Sequence, residues 1–264
     1  MANAGNGTTR IHYEVEGQGD PLVLVHGATV GLEMWQELGY TEALAPDYRL
    51  ISIDARGHGQ SDKPHEPAAY QPELLAGDIL AVLDAAGVER AHYLGASLGA
   101  AIGFELACRA PGRLRSLVLL GYGRYGPLTD AQQHFHTAGL RLFGLGASLG
   151  GAAILAGMDA AGATVSPVMR AAYLANDWQA LLALQEAFIT WPDLHDLLPR
   201  ISTPSLLIAA EGDPFYESAR LCAGAIPGAG FLSLPGGIHG QASYPADLVV
   251  PHVRALLAGV AETI

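Results

Sequence analysis

Short apolar runs recur along the chain, and they indicate strands that are buried on both faces. Such runs are typical of parallel sheets, in which helices cover both sides of each strand. Residues 9–16 differ, because they alternate between apolar and polar positions as a half-buried strand does. The continuous runs lie at residues 22–25, 49–53, 91–94, 116–120, 205–209 and 231–234.

Segments with helical spacing separate these strands. In residues 72–86, the apolar positions Leu75, Ile79 and Leu83 fall on one face of a helix. Further helices are predicted over residues 98–109 and 248–260. This alternation predicts an α/β fold, with a mostly parallel twisted sheet and helices on both faces.

Residues 123–196 interrupt the alternation, because helix-like stretches fill them and no strand-like run occurs there. An insertion of this kind would cover the carboxyl edge of the sheet, where the functional loops of parallel sheets lie. The predicted organisation is therefore a core of residues 1–123 and 197–264, with a helical cap of residues 124–196.

The composition fits a globular domain and disfavours polyanionic partners. Of the 264 residues, 50% are hydrophobic and 15% are charged, so a large core can form. The formal net charge is −12 and Lys63 is the single lysine, which argues against binding to nucleic acid or to anionic membranes. No apolar run is long enough to span a bilayer, and no signal peptide is recognisable, so a cytoplasmic location is expected.

Residues 95–99, Gly-Ala-Ser-Leu-Gly, form a G-x-S-x-G motif. An apolar strand precedes the motif and a predicted helix follows it, which is the strand–turn–helix context of a nucleophile elbow. Gly95 and Gly99 lack the Cβ atoms that would collide where strand and helix approach each other. The positive end of the helix would face the hydroxyl of Ser97, which is therefore the candidate nucleophile.

The same five letters recur at residues 146–150. The segment before Ser148 has glycine on both sides and no β-branched residue, so no strand is predicted there. We expect a loop or a broken helix around Ser148, with the serine as a small packing residue. The predicted context, rather than the motif, selects Ser97.

Five motifs each lie just after a predicted strand. They are Val25-His26-Gly27-Ala28, residues 54–62, residues 95–99, Glu211-Gly212-Asp213 and Gly236-Gly237-Ile238-His239-Gly240. Together they resemble the α/β-hydrolase family, in particular its serine esterases with a helical cap. The resemblance covers nearly all of the chain outside the cap, and the order of nucleophile, acid and histidine is that of the family.

Ser97, Asp213 and His239 are the candidate catalytic triad. A serine hydroxyl needs a base to take its proton as it attacks, and an imidazole can accept that proton and return it to the leaving group. A carboxylate holds the imidazole in the required tautomer. His26 and Asp130 are rivals, but the resemblance implies a structural role for His26, and Asp130 lies several residues into its loop.

The resemblance also implies an oxyanion hole formed by the backbone N–H groups of Ala28 and Leu98. Ala28 stands where many relatives carry an aromatic residue, which leaves space on the acyl side. Leu98 stands where cofactor-free perhydrolases carry methionine, which argues against that activity. Residues 54–62 lack the pattern of a phosphate-binding loop, so we expect a structural loop with Arg56 paired to a carboxylate.

The function that the resemblance implies is hydrolysis of small to medium, fairly apolar carboxylic esters through an acyl-enzyme on Ser97. Lactone or enol-lactone, thioester and carbon–carbon bond hydrolysis use the same triad and stay open. A non-catalytic ligand-binding protein on this fold is a more remote alternative. The expected partner is a small-molecule ester, and the sequence does not set the oligomeric state.

Substrate contacts are expected from Ala28, Leu98, Trp178 and Trp191, the tryptophans being two of many apolar residues in the predicted cap. Three histidines of the cap, His134, His136 and His195, could also touch substrate. The sequence has no cluster of histidine and cysteine with metal-ligand spacing, so neither a metal nor a cofactor is expected.

Overall fold

The computed structural model describes residues 2–240 and 243–261, and it contains an eight-stranded sheet. The strands are β1 (Ala2–Asn6), β2 (Thr9–Glu16), β3 (Asp20–Val25), β4 (Tyr48–Ile53), β5 (Ala91–Ala96), β6 (Leu114–Leu120), β7 (Ser205–Ala210) and β8 (Gly230–Leu234). Their order across the sheet is β1-β2-β4-β3-β5-β6-β7-β8. β1 pairs antiparallel with β2, and β2 antiparallel with β4. All other neighbours pair in parallel.

Helices connect and cover these strands. They are α1 (Glu33–Glu37), α2 (Tyr40–Leu44), α3 (Pro72–Ala85), α4 (Leu98–Arg109), α5 (Asp130–Leu149), α6 (Gly151–Ala160), α7 (Pro167–Ala175), α8 (Trp178–Phe188), α9 (Tyr216–Ala225) and α10 (Ala246–Ala261). Helices α5 to α8 follow one another between β6 and β7. Within the described residues, no helix combines the length and the apolar character that crossing a bilayer requires.

Alternate side chains of the parallel strands enter two cores, one on each face of the sheet. In β3, Val23 and Val25 pack in the core that holds side chains of α3 and α4, whereas Leu22 and Leu24 pack in the core that holds side chains of α10. These four side chains are at most 1% exposed. Burial on both faces explains the unbroken apolar run, and each such side chain contributes roughly 1.5–3 kcal/mol.

The carboxyl ends of the parallel strands meet at one edge of the sheet. β3 ends at Val25, β5 at Ala96, β7 at Ala210 and β8 at Leu234, and a loop that carries one of the sequence motifs follows each end. Parallel pairing places these ends side by side. The fold therefore assembles four loops that are far apart in the sequence.

The predicted α/β fold, with a mostly parallel sheet and helices on both faces, is confirmed. The sequence pattern does not predict β1, α1 or α2. β1 has no apolar alternation and forms by pairing with β2, with Ala2 opposite Tyr13. α1 and α2 have five residues each, too few for a helical period to show. The division into residues 1–123 and 197–264 as core and 124–196 as cap stays a prediction.

The expectation of a loop or a broken helix around Ser148 is wrong. Helix α5 runs unbroken through Gly144 and Gly146, and Ser148 Oγ donates a hydrogen bond to the Gly144 carbonyl at 2.8 Å. Thr129 begins the helix with a capping box, and the indole of Trp178 on α8 packs against the backbone at Gly146. Capping and packing thus outweigh the cost of each glycine in a helix, about 1 kcal/mol.

Candidate active site

Ser97 lies at a strained turn between β5 and α4. Its φ of 51° and ψ of −105° place a non-glycine residue in a rarely occupied backbone region. The Ser97 N–H donates to the Leu120 carbonyl at 2.8 Å, which ties the turn to β6. A Cβ atom at Gly95 would collide with the Gly99 carbonyl, and one at Gly99 with the Val25 carbonyl, so both close approaches require glycine.

The hydroxyl of Ser97, the imidazole of His239 and the carboxylate of Asp213 form a continuous hydrogen-bonded chain. His239 Nδ1 donates to Asp213 Oδ2 at 2.9 Å and lies 3.1 Å from Oδ1. His239 Nε2 is then an acceptor, and Ser97 Oγ donates to it at 2.8 Å. The Asp213 side chain is 0% exposed and that of His239 is 13% exposed. A nucleophile, a base and an orienting carboxylate require this order of contacts.

Two further donors hold the Asp213 carboxylate. The Phe215 N–H donates to Oδ1 at 2.8 Å, and the Tyr244 hydroxyl donates to Oδ2 at 2.9 Å. The Tyr244 hydroxyl oxygen accepts from the Ala210 N–H at 3.3 Å. Burial, together with the nearby Asp213 charge, raises the pKa of Tyr244, so its hydroxyl stays protonated. Sequence reasoning did not find Tyr244, because nothing in its spacing links it to the carboxylate.

The rival residues have other surroundings. His26 is fully buried, accepts from the Ala55 N–H at 3.1 Å through Nε2, and donates to the Gly27 carbonyl at 2.7 Å through Nδ1. Burial lowers the pKa of His26 and keeps its ring neutral. Asp130 is exposed in the first turn of α5. The geometry therefore joins His239 and Asp213, and not these two residues, to Ser97.

The backbone at Ala28 and Leu98 lines the same cavity as Ser97. Leu98 is the first residue of α4, so its N–H has no acceptor within the helix. Neither this N–H nor that of Ala28 makes a hydrogen bond in the described part of the chain. Two residues that line the cavity beside Ser97 thus have a backbone N–H without a protein acceptor among the described residues.

Side chains from two regions hold Thr29, the residue after Ala28, at a φ of 72°. The Thr29 N–H donates to His58 Nε2 at 3.3 Å, and Asn176 Nδ2, at the end of α7, donates to the Thr29 carbonyl at 2.9 Å. His58 Nδ1 donates in turn to the Arg56 carbonyl at 3.1 Å. The segment that carries the Ala28 N–H is therefore fixed both from the core and from helices α5 to α8.

Ser97 and His239 open into a cavity of about 540 Å³. No lysine, arginine, aspartate or glutamate is among the described residues that line it. The cavity therefore suits an uncharged and largely apolar group. Helices α5, α7 and α8 supply most of its apolar side chains, which are Phe135, Ala138, Leu142, Phe143, Met169, Tyr173, Leu184 and Phe188.

The two tryptophans that the sequence suggests as substrate contacts do not line this cavity. Trp178 is 5% exposed, and its indole N–H donates to the Tyr173 carbonyl at 3.1 Å. Trp191 is 4% exposed, and its indole N–H donates to the Tyr70 carbonyl at 3.1 Å. Both indoles are buried in packing contacts. Trp178 packs against Phe143 and Tyr173, and Trp191 packs against Phe188 and bonds to the backbone at Tyr70.

One polar pair interrupts the apolar wall of the cavity. His136 on α5 and Gln185 on α8 are 5% and 8% exposed, and Gln185 Nε2 donates to His136 Nδ1 at 3.2 Å. Burial, aided by the nearby charge of Arg124, lowers the pKa of His136 to about 4, so the ring is neutral near pH 7. The other two histidines that the sequence suggests, His134 and His195, do not line the cavity.

Arg56 forms a buried ion pair with Asp78 on α3. The two N–O distances are 3.0 and 2.7 Å, and both side chains are 4% exposed. The predicted pairing of Arg56 with a carboxylate is thus confirmed. The guanidinium is buried and stabilises the interior of the protein by this ion pair. Among the described residues, no group of three or more histidine, cysteine, aspartate or glutamate side chains is placed to hold a metal ion.

Comparison with known proteins shows relatives that share this fold. The chain is 31% identical to the proposed carbamate hydrolase RutD of Stutzerimonas stutzeri (strain A1501), over 96% of the chain and 97% of that protein. It is 34% identical to the 2-hydroxy-6-oxononadienedioate/2-hydroxy-6-oxononatrienedioate hydrolase of Paraburkholderia xenovorans (strain LB400), over 47% of the chain. That match covers 43% of the relative, and a match to RutD of Azorhizobium caulinodans covers 46%, so the chain spans less than half the length of some curated relatives.

A solved structure, the enol-lactonase from Burkholderia xenovorans LB400, superposes with a TM-score of 0.80 at 25% identity. The superposition covers 97% of this chain and 100% of the enol-lactonase. The alpha/beta hydrolase fold profile matches residues 20–240. The resemblance found in the sequence is thereby confirmed, and the chain belongs to the alpha/beta hydrolase family.

Proposed function

We propose that this protein is a serine hydrolase that cleaves small to medium, fairly apolar carboxylic esters through an acyl-enzyme on Ser97. The observation that carries the proposal is the hydrogen-bonded chain of Ser97, His239 and Asp213 at the wall of an apolar cavity. A serine that is hydrogen-bonded to an imidazole and faces an enclosed space is arranged for attack on a bound carbonyl.

In the first step, Ser97 Oγ attacks the ester carbonyl carbon while His239 Nε2 takes the hydroxyl proton. Asp213 accepts a hydrogen bond from Nδ1 and stabilises the imidazolium that forms. The N–H groups of Ala28 and Leu98 supply donors for the oxyanion, and each such donor is worth about 10²–10³ in kcat. His239 then gives its proton to the departing alkoxide, and the acyl group stays on Ser97.

In the second step, a water molecule attacks the acyl-enzyme carbonyl while His239 Nε2 takes a proton from it. The second tetrahedral intermediate expels Ser97 Oγ, which regains a proton from His239. The carboxylic acid leaves, and the enzyme returns to its starting protonation state.

The lining of the cavity supports an uncharged ester. A dioate, the substrate type in the name of the Paraburkholderia relative, would find no cationic side chain on the described lining. The volume of about 540 Å³ falls within the usual range of small-molecule sites, about 300–1,000 Å³. A lactone is a second candidate, because the enol-lactonase is a structural relative and a lactone is a cyclic ester that the same attack would open.

Two serines in identical motifs provide a matched test. Ser97→Ala removes the nucleophile, so it should lower hydrolysis of p-nitrophenyl acetate, butyrate and hexanoate by about 10³-fold or more, and it should abolish labelling by a fluorophosphonate. Ser148→Ala makes the same change at an exposed position of α5 and should leave both readouts within about twofold of wild type. Full turnover by Ser97→Ala would refute the proposal. A folded wild-type protein without turnover would favour the binding-protein alternative.

A further inference from the structure

The His136–Gln185 pair lines the cavity, and two of its polar atoms have no partner among the described residues. Gln185 Nε2 donates both to His136 Nδ1 at 3.2 Å and to the His136 carbonyl at 3.4 Å, which fixes the orientation of the amide. Because Nδ1 accepts, the neutral ring carries its proton on Nε2. Within the described part of the chain, His136 Nε2 and Gln185 Oε1 have no hydrogen-bond partner, and each atom keeps some exposed surface. Both residues line the cavity.

The ring contacts of His136 within the described residues are with phenylalanines, which offer no hydrogen-bond partner. The rings nearest to His136 are Phe135 and Phe188, each with its centroid 5.7 Å from the imidazole centroid. An apolar group that fills the cavity would take these two atoms out of contact with water and leave them without a partner, which is unfavourable. A polar group of the ligand is therefore favoured at this point. An N–H donor beside a C=O acceptor complements a group that both accepts and donates, and a hydroxyl is the smallest such group.

The pair lies near the reacting atoms. The centroids of His136 and His239 are 5.8 and 5.2 Å from that of Phe215, and 5.7 and 4.6 Å from that of Phe135. Both imidazoles therefore pack against the same two phenylalanine rings. A chain of a few carbons that extends from a carbonyl at Ser97 would bring a substituent to the pair.

We propose that the His136–Gln185 pair is a polar subsite that binds a hydroxyl group of the substrate, which makes the preferred substrate an uncharged ester or lactone with a hydroxyl on an otherwise apolar chain. This inference rests on the proposed ester hydrolysis at Ser97. The hydroxyl accepts from His136 Nε2 and donates to Gln185 Oε1. The apolar side chains that line the cavity around the pair then contact the apolar carbon chain of the substrate.

The test compares ethyl hexanoates that carry either a hydroxyl or a methyl branch at the same carbon, with one matched pair for each carbon beyond the α-carbon. Acid release is followed in a pH-stat with the Ser97→Ala protein as the blank. A methyl group has nearly the size of a hydroxyl but makes no hydrogen bond. For one of these carbon positions, kcat/KM of the wild-type protein for the hydroxylated ester should exceed kcat/KM for the methyl-branched ester by about tenfold or more.

Variants then assign the preference to the pair. His136→Leu and Gln185→Leu should each remove most of it, so that the ratio of kcat/KM for the hydroxylated ester to kcat/KM for the methyl-branched ester falls towards one. His134→Leu is the matched control, because His134 is exposed on the same helix and does not line the cavity. It should leave the preference intact.

The outcomes of these experiments distinguish failure of the subsite proposal from failure of the proposed ester hydrolysis. If the methyl-branched esters are hydrolysed and no hydroxylated ester is preferred, the subsite proposal is overturned and the ester hydrolase proposal stands; this comparison needs no variant. If a preference exists and survives in both leucine variants, another group binds the hydroxyl and the subsite proposal is again wrong. If the wild-type protein hydrolyses none of the esters, the proposed function itself fails.

Discussion

Replacing Tyr244 by phenylalanine removes the hydroxyl that donates to Asp213 Oδ2 at 2.9 Å and keeps the ring. Asp213 retains the Phe215 N–H at 2.8 Å and the contact with His239 Nδ1. Its side chain is 0% exposed, so bulk water does not replace the lost donor. A hydrogen bond to a charged group contributes about 1.5–3 kcal/mol, and part of this loss falls on the positioning of the imidazole.

We expect kcat of Tyr244→Phe to fall about tenfold to a hundredfold, because about 1.4 kcal/mol corresponds to a factor of ten. KM should change little, since the hydroxyl binds the carboxylate rather than the substrate. The Ala210 N–H also loses its acceptor, so the free energy of unfolding should fall by about 1–3 kcal/mol. Steady-state kinetics on p-nitrophenyl butyrate and urea denaturation measure the two effects separately.

Tyr40→Phe is the matched control. Tyr40 is buried, and its hydroxyl donates to the Tyr244 carbonyl at 2.9 Å, so its removal should cost comparable stability while the donors to Asp213 remain. Unchanged kcat in Tyr244→Phe, or an equal fall of kcat in both variants, would refute a role for the Tyr244 hydroxyl in holding the carboxylate.

Two further predictions concern stability. Burial lowers the pKa of His58 to about 3 and those of His92 and His136 to about 4, from 6.5 for an unburied imidazole, so the unfolded chain binds more protons in this window. The free energy of unfolding should therefore fall as the pH drops from about 6.5 to 4, by up to about 1.4 kcal/mol per pH unit for each histidine. Midpoints of urea denaturation that do not change over this pH range would contradict the prediction. Arg56→Leu leaves the Asp78 carboxylate buried without its cation, so the free energy of unfolding measured in urea should fall by about 3–5 kcal/mol. The double variant Arg56→Leu/Asp78→Leu also removes the buried charge and should be more stable than Arg56→Leu alone. Equal stability of the two variants would contradict this explanation.

The parallel part of the sheet could be predicted from the sequence because burial on both faces leaves a direct mark. Val23 and Leu24 point to opposite faces and are both apolar, so β3 stands out as a run. The turn at Ser97 could be predicted for a similar reason, since its glycines are required by close approach of the backbone. β1 has no comparable sequence pattern, because backbone hydrogen bonds to β2 stabilise it rather than burial of its side chains.

The substrate side of the site could not be predicted because it depends on how helices pack. His136 and Gln185 are 49 positions apart, and they meet only because α5 lies along α8. Helix packing also explains why Trp178 lies outside the cavity and why Ser148 lies in a helix. Helical periodicity identifies an apolar face, but it does not tell whether that face meets a neighbouring helix or a ligand.

The hydrogen bond from Asn176 to the Thr29 carbonyl has a consequence for protein engineering. Helices α5 to α8 cannot be exchanged independently of the core, since the amide that follows α7 holds the backbone next to Ala28, a residue of the cavity wall. A chimera that replaces these helices without an equivalent amide would lose the hydrogen bond that holds the Thr29 carbonyl, so the new helices should be designed together with the loop after β3.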